Sequence, residues 1–400
     1  MLKFLPAPIV ILLSMALGLF IGFLKIPFCF QIANALADIF MNVFKAISLP
    51  VIFFSLVSAI SGLAGLAQVQ RMGGRVFLLS LFTTFISSVV ALAVYLLVKP
   101  ALASVAPSEL NTAPVSFDSY FASLRKIFPS NFLSPFIEGN SLAVVVIAIG
   151  LGLAALTLPS AQRKIVHVFF ASFQALLMKV VSGITFVLPV GVWAFSVLFA
   201  KDLESSKSLK SVGLYLCAIV AANLIQAFFV LPILLRRAKL SVRESVKGMW
   251  PALSLAFFTK SSVAAMPLAM RCAENHLHVE KNISRFAFPL CTSVNMNACA
   301  GFILITFLFV GETHGMVFAP WDLLQWTVMA TIVAMGHAGV PMGCFFLASA
   351  LVAQANLPMT LMGIILPFYT LLDMLESAIN LWSDSCITLV LNRKESLSLS

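Results

Sequence analysis

Apolar residues run through this chain in stretches long enough to cross a bilayer, separated by short polar or basic segments. They show none of the strict alternation that marks a half-buried strand. The pattern predicts helices at about residues 8–24, 32–63, 76–98, 141–158, 166–200, 212–235, 286–310 and 359–391. The second is longer than a crossing requires and carries Pro50, a cause for a kink or tilt. Two further apolar segments are interrupted: residues 242–267, broken at 259–262, and residues 321–358, broken by a Gly/Pro-rich tip at 336–343. Each arm is too short to cross, so each segment reads as a re-entrant hairpin, the alternative being a buried channel loop. A matched pair of interrupted segments points to a transporter assembled from inverted repeats. The predicted fold class is an all-α polytopic membrane protein with eight transmembrane helices plus two re-entrant hairpins.

One predicted span is not uniformly apolar. It contains PLCTSVNMNACAG, which crowds Thr292, Ser293, Asn295, Asn297 and Cys299 before Gly301. A membrane helix satisfies its own backbone, so polar residues here predict an unwound stretch whose freed carbonyls can ligate a small cation. The other reading is a polar helix-packing seam. In the last helix the offsets from Asp373 place Glu376, Ser377, Asn380 and Asp384 on one face, with Ser383 beside Asp384. Three carboxylates on a membrane helix cost about 2–3 kcal/mol each, so they are expected to face an interior site rather than lipid. An inter-helix ion pair or a solvated helix end is the alternative.

Composition strengthens the membrane reading. The 400 residues are 61% hydrophobic and 10% charged, with a mean hydropathy of +1.04. The net charge of +10 does not indicate nucleic acid, because the basic residues are dispersed among loops. With the N-terminus inside, most of them, including Arg71, Arg75, Arg163, Lys164, Arg236, Arg237, Arg285, Arg393 and Lys394, fall on one side. Both termini are therefore predicted to be cytoplasmic. The opening segment lacks a small-residue cleavage site and is read as the first span. The loop at residues 99–135 is placed outside and is rich in Phe, Ile and Leu. The seven cysteines show neither CxxC spacing nor an even framework and are read as packing residues.

These features together resemble the dicarboxylate/amino acid:cation symporter family, the glutamate transporter homologues. The family's Asn-Met-Asp-Gly-Thr motif is similar to Asn295-Met296-Asn297-Ala298-Cys299. Its hairpin tips resemble Lys260-Ser261-Ser262 and Gly336-His337-Ala338-Gly339-Val340-Pro341. Its last helix matches at Asp373, Ser377, Asn380 and Asp384, and earlier matches are Lys45, Pro50, Thr83-Thr84 and FPSNF at residues 128–132.

The resemblance implies a homotrimer in a bacterial cytoplasmic membrane that works as an elevator. Residues 1–70 and 99–200 would form the scaffold, with the external loop, while residues 71–98 and 201–400 would form the moving transport domain. Asp373 would hold a substrate amino group, and Ser377, Ser262 and the backbone at Val340 its carboxylate; Ser261, Glu376 and Cys299 would also line the pocket. Cys291, Asn295, Met296, Asn380 and Asp384, with Asn297, Thr83 and Thr84, would serve coupling cations, Na⁺ or H⁺. His337, Gly339 and Pro341 would belong to the gate. No other cofactor, no nucleic acid and no enzymatic activity are implied.

The departures bear on substrate. Asn297 stands where the motif has an aspartate, and Glu376 where many carriers of acidic amino acids hold an arginine. Lys260, in the first hairpin, is placed to pair with Glu376. His337 introduces a group that titrates near neutrality. The chain is thus expected to carry an amino acid, or a dicarboxylate, with acidic side chains disfavoured. A substrate-gated channel and a transport-dead sensor of the same fold are the rival readings. An intramembrane protease is opposed by the ~16 Å rise between Asp373 and Asp384, too far for a shared-proton dyad, and by the lack of GxSxG or HExxH.

Overall fold

A computed structural model describes residues 7–62, 73–100, 131–137, 141–202, 206–335 and 342–399. The described residues are helical, without strands. In chain order the helices are α1 (Ala7–Phe23), α2 (Pro27–Ser61), α3 (Gly74–Val98), α4 (Ser141–Thr157) and α5 (Ser160–Asp202). Next, α6 runs from Ser206–Ile225 through a wider π-turn at Gln226–Val230 into Leu231–Arg237. Then follow α7 (Val242–Thr259), α8 (Ser262–Leu277), α9 (Lys281–Val294), α10 (Asn297–Thr313), α11 (Pro320–Ala334), α12 (Gly343–Gln354) and α13 (Thr360–Leu399).

Among the described residues four stretches, Gly74–Val98, Lys210–Arg237, Lys281–Thr313 and Thr360–Glu395, are long and apolar enough to cross a membrane. The helices pack as two groups, α1, α2, α4 and α5 in one, α3 and α6 to α13 in the other. In the first group α1 lies close on α5 because Gly18 and Gly22 have no side chain there. A Cβ on Gly18 would sit 2.5 Å from the Trp193 carbonyl oxygen. Phe132, near the end of the loop expected outside, and Phe136, just past it, set their rings edge-on against Phe53 of α2, which accounts for part of that segment's apolar content. Residues 101–130, including most of FPSNF, lie outside the described residues, as does the end of the second predicted span at residue 63. Phe20, Phe186 and Phe228 stand exposed, as side chains facing acyl chains do.

Both interruptions in the second group that can be seen are short. In the first hairpin α7 ends on Lys260, in the left-handed region at φ 55°. Ser261 then caps α8 by accepting from the Ala264 N–H. The central span is broken only at Asn295 and Met296. The longer unwound stretch expected from the polar residues is corrected by this: Thr292 and Ser293 remain helical because their hydroxyls bond back to carbonyls three or four residues earlier, and Asn297 and Cys299 already belong to α10. The stretch Lys281–Thr313 is the most enclosed of the four, and its α10 half, buried almost throughout, carries apolar residues on every face. The tip of the second hairpin, with Gly336, His337, Gly339, Val340 and Pro341, lies outside the described residues.

The cysteine reading also needs correction. Cys299 of α10 and Cys344 of α12 form a disulfide across a sequence separation of 45. Spacing could not show this, because the pairing arises only when the second hairpin folds against α10.

Candidate functional site

The polar face of α13 is buried as its carboxylates required. Asp373, Glu376, Ser377, Asn380, Ser383 and Asp384 are all inside the molecule. The stripe has two ends, and different elements meet each.

At the Asp384 end, α13 meets the break between α9 and α10 and the polar side of α3. The Asn295 side-chain amide donates to Asp384 Oδ1 at 2.8 Å and to Ser383 Oγ at 2.9 Å. Asn297 donates to the same Ser383 oxygen at 2.7 Å. On the other side, Thr83 donates to Asn295 Oδ1 at 3.1 Å and Thr84 to Asn297 Oδ1 at 2.8 Å. Ser87 donates to the Asn297 carbonyl, and Asn380 Oδ1 accepts the Ala298 N–H at 3.0 Å, serving an otherwise orphaned donor at the start of α10. The Asn295 N–H bonds to the Cys291 carbonyl at 2.7 Å. Thr83, Thr84, Cys291, Asn295, Asn297, Asn380 and Asp384 are thus brought together.

Their hydrogen bonding separates two parts. The Asn297 amide is satisfied on both atoms, the oxygen by threonine hydroxyls and the nitrogen by Ser383, and it carries no charge. Asp384 Oδ2 is buried and accepts from no group among the described residues. A dehydrated sodium ion needs several oxygens, at least one of them charged. Asp384, with the Cys291 carbonyl and the Asn295 and Asn380 oxygens near it, supplies that chemistry. The cluster of Thr83, Thr84 and Asn297 uses its oxygens internally.

At the Asp373 end the neighbours are the hairpins. The Met342 N–H donates to Asp373 Oδ2 at 3.2 Å. The Tyr369 hydroxyl lies 3.3 Å from Asp373 Oδ1 and 3.2 Å from Glu376 Oε2. The Tyr369 ring is fixed between Phe302 and Phe345. Glu376 Oε1 is buried without a protein partner. Lys260 lies within the electrostatic reach of Asp373, whereas Glu376 interacts with Asp373 and Tyr369. No ion pair joins Lys260 to Glu376 among the described residues, and the electrostatic coupling of Lys260 runs to Asp373. Ser261 is engaged as a helix cap, Ser262 is buried beside it, and Cys299 is held in its disulfide.

Sequence reasoning did not single out Tyr369, which links the two carboxylates, and gave no role to Ser383, which receives both asparagine amides. Tyr369 was within reach of the same rule that found the stripe: it precedes Asp373 by four residues and Glu376 by seven, one face of the helix. Ser87 and Gln226, whose side chain donates to the Thr83 carbonyl, had no comparable signal because their contacts cross between helices.

The sequence model of the sodium:dicarboxylate symporter family matches residues 8–394. Among similar proteins, glt-6 of Caenorhabditis elegans, whose name assigns it to sodium-dependent excitatory amino acid transport, is 25% identical over 93% of this chain and 77% of its own. Neutral amino acid transporter B(0) of Mus musculus is 26% identical over 87% of this chain and 72% of its own. The Homo sapiens protein of the same name is 27% identical, covering 87% and 71%.

Proposed function

Since the chain belongs to the sodium:dicarboxylate symporter family, we propose that it is a secondary active symporter that moves an amino acid into the cell together with sodium, which binds at Asp384. The observation that carries this is the buried α13 stripe. It ends at one side in a carboxylate oxygen without a protein partner beside a helix break, and at the other in two carboxylates beside the hairpins. An ion and a zwitterion held about three turns apart on one rigid helix would move together, which is what coupling requires.

The neutral, internally bonded Asn297 argues for one cation fewer than a carboxylate would allow there. Glu376 argues against an acidic substrate side chain, because a third carboxylate would add repulsion to a cluster in which Lys260 already faces two carboxylates. The separate packing of α1, α2, α4 and α5 supports their role as a fixed scaffold, with the other helices as the element that carries the site across. A homotrimer in a bacterial inner membrane with both termini cytoplasmic completes the reading, resting on the resemblance and on the distribution of basic residues.

The test is uptake of a labelled amino acid panel into proteoliposomes with sodium and proton gradients imposed separately. Sodium-driven, saturable uptake is expected. Uptake driven only by protons would move the coupling to protonatable carboxylates. Flux that does not saturate would favour a channel.

A further inference from the structure

Among the described residues the Asp373 end of the stripe is short of hydrogen-bond donors, and the shortage falls on Glu376. Asp373 receives the Met342 N–H and lies near Lys260. Glu376 has only the Tyr369 hydroxyl, which must divide one proton between Glu376 Oε2 and Asp373 Oδ1. Its second oxygen, Oε1, is buried and receives nothing from the protein, although the side chain is only 1% exposed. A buried carboxylate left this way is costly, and the cost disappears when a cationic donor arrives. Counted in their ionised forms, two carboxylates and one ammonium leave the cluster one negative charge in excess. A zwitterion with a neutral side chain leaves that excess in place, an acidic one doubles it, and one with a cationic side chain cancels it.

Building on the symporter reading above, we infer that this site selects amino acids with a positively charged side chain, of the lysine and ornithine class. Glu376 accepts from the side-chain ammonium while Asp373 holds the α-amino group.

The experiment compares lysine with norleucine, which has the same chain without the terminal nitrogen. Both are measured on the full-length protein, by binding in detergent and by competition against sodium-driven uptake in proteoliposomes. Lysine is expected to bind at least about tenfold more tightly than norleucine, the scale of one charge-assisted hydrogen bond. Glu376→Gln, which keeps the shape and removes the charge, is expected to bring that ratio to about one. Equal binding of the two by wild type, preference for norleucine or aspartate, or a ratio unchanged in Glu376→Gln overturns the inference. The binding arm reads it even if no gradient drives uptake; that result would count against the symporter reading and leave the lysine-to-norleucine ratio to decide substrate class. A variant that fails to fold is recognised by its elution, and Glu376→Asp, which retains the charge, is then expected to keep the preference for lysine.

Discussion

The two ends of the α13 stripe hold similar residue types in opposite states. Around Asn295, Asn297 and Ser383 the amides and hydroxyls satisfy one another, and among the described residues Asp384 Oδ2 is the one carboxylate oxygen there without a protein partner, although Ser80 Oγ and Gln226 Oε1 nearby are also open. Around Asp373 and Glu376 one tyrosine hydroxyl serves two carboxylates, and Glu376 Oε1 has none. The difference teaches how to separate structure from cargo in a buried polar cluster. Closed networks hold the helix break in shape, because each group there answers a neighbour's desolvation. Carboxylate atoms that stay open mark where an ion or substrate completes the set.

Changes at the open atoms should therefore alter transport, and changes in the closed network should chiefly alter stability. The largest effect is expected for Asp384→Asn, which removes the one charge at the ion end. Sodium-driven uptake should fall by about a hundredfold or more, the scale of losing a buried charge partner, while folded protein is still recovered. Glu376→Arg reverses the charge at the other end. The ratio of aspartate to lysine uptake should rise by about tenfold or more, measured in competition assays. Removing the tie between α10 and α12 with Cys344→Ser should lower stability by about 2–4 kcal/mol, seen as an earlier thermal transition. Wild type treated with reductant should match it. Asn297→Asp places a carboxylate where the amide now donates to Ser383. It should strengthen sodium dependence several-fold, read from the sodium concentration for half-maximal uptake; on this account a second site gains charge. The smallest effect is expected for Thr84→Val, which deletes one of the hydroxyls serving Asn297 and should cost about 1 kcal/mol of stability with transport retained.

Much of the architecture was legible because bilayer physics writes long apolar runs, and an interrupted run or a charge inside one stands out. The ends of α3 and α7 and the start of α13 fall near the limits the pattern set, whereas α8 continues to Leu277 and α13 to Leu399, past the apolar limits at residues 267 and 391; the first hairpin breaks where Lys260 and Ser261 interrupt it. The carboxylate stripe was readable from spacing alone. The extent of unwinding was not, because Thr292 and Ser293 can satisfy themselves on their own helix. Nor was the partner of Lys260, or the bridge between Cys299 and Cys344, since each depends on how a hairpin packs on a distant helix. The division of the asparagines from Asp384 needed hydrogen-bond directions, which composition does not carry.

The central claim is that ion and substrate move as one cargo, and reciprocity tests it most directly. In sealed proteoliposomes with equal sodium on both sides and the voltage clamped at zero, an inward lysine gradient is the only driving force. The account predicts that ²²Na⁺ accumulates with the amino acid in wild type and not in Asp384→Asn. Lysine entry without ²²Na⁺ movement, or with protons moving in its place, would contradict it.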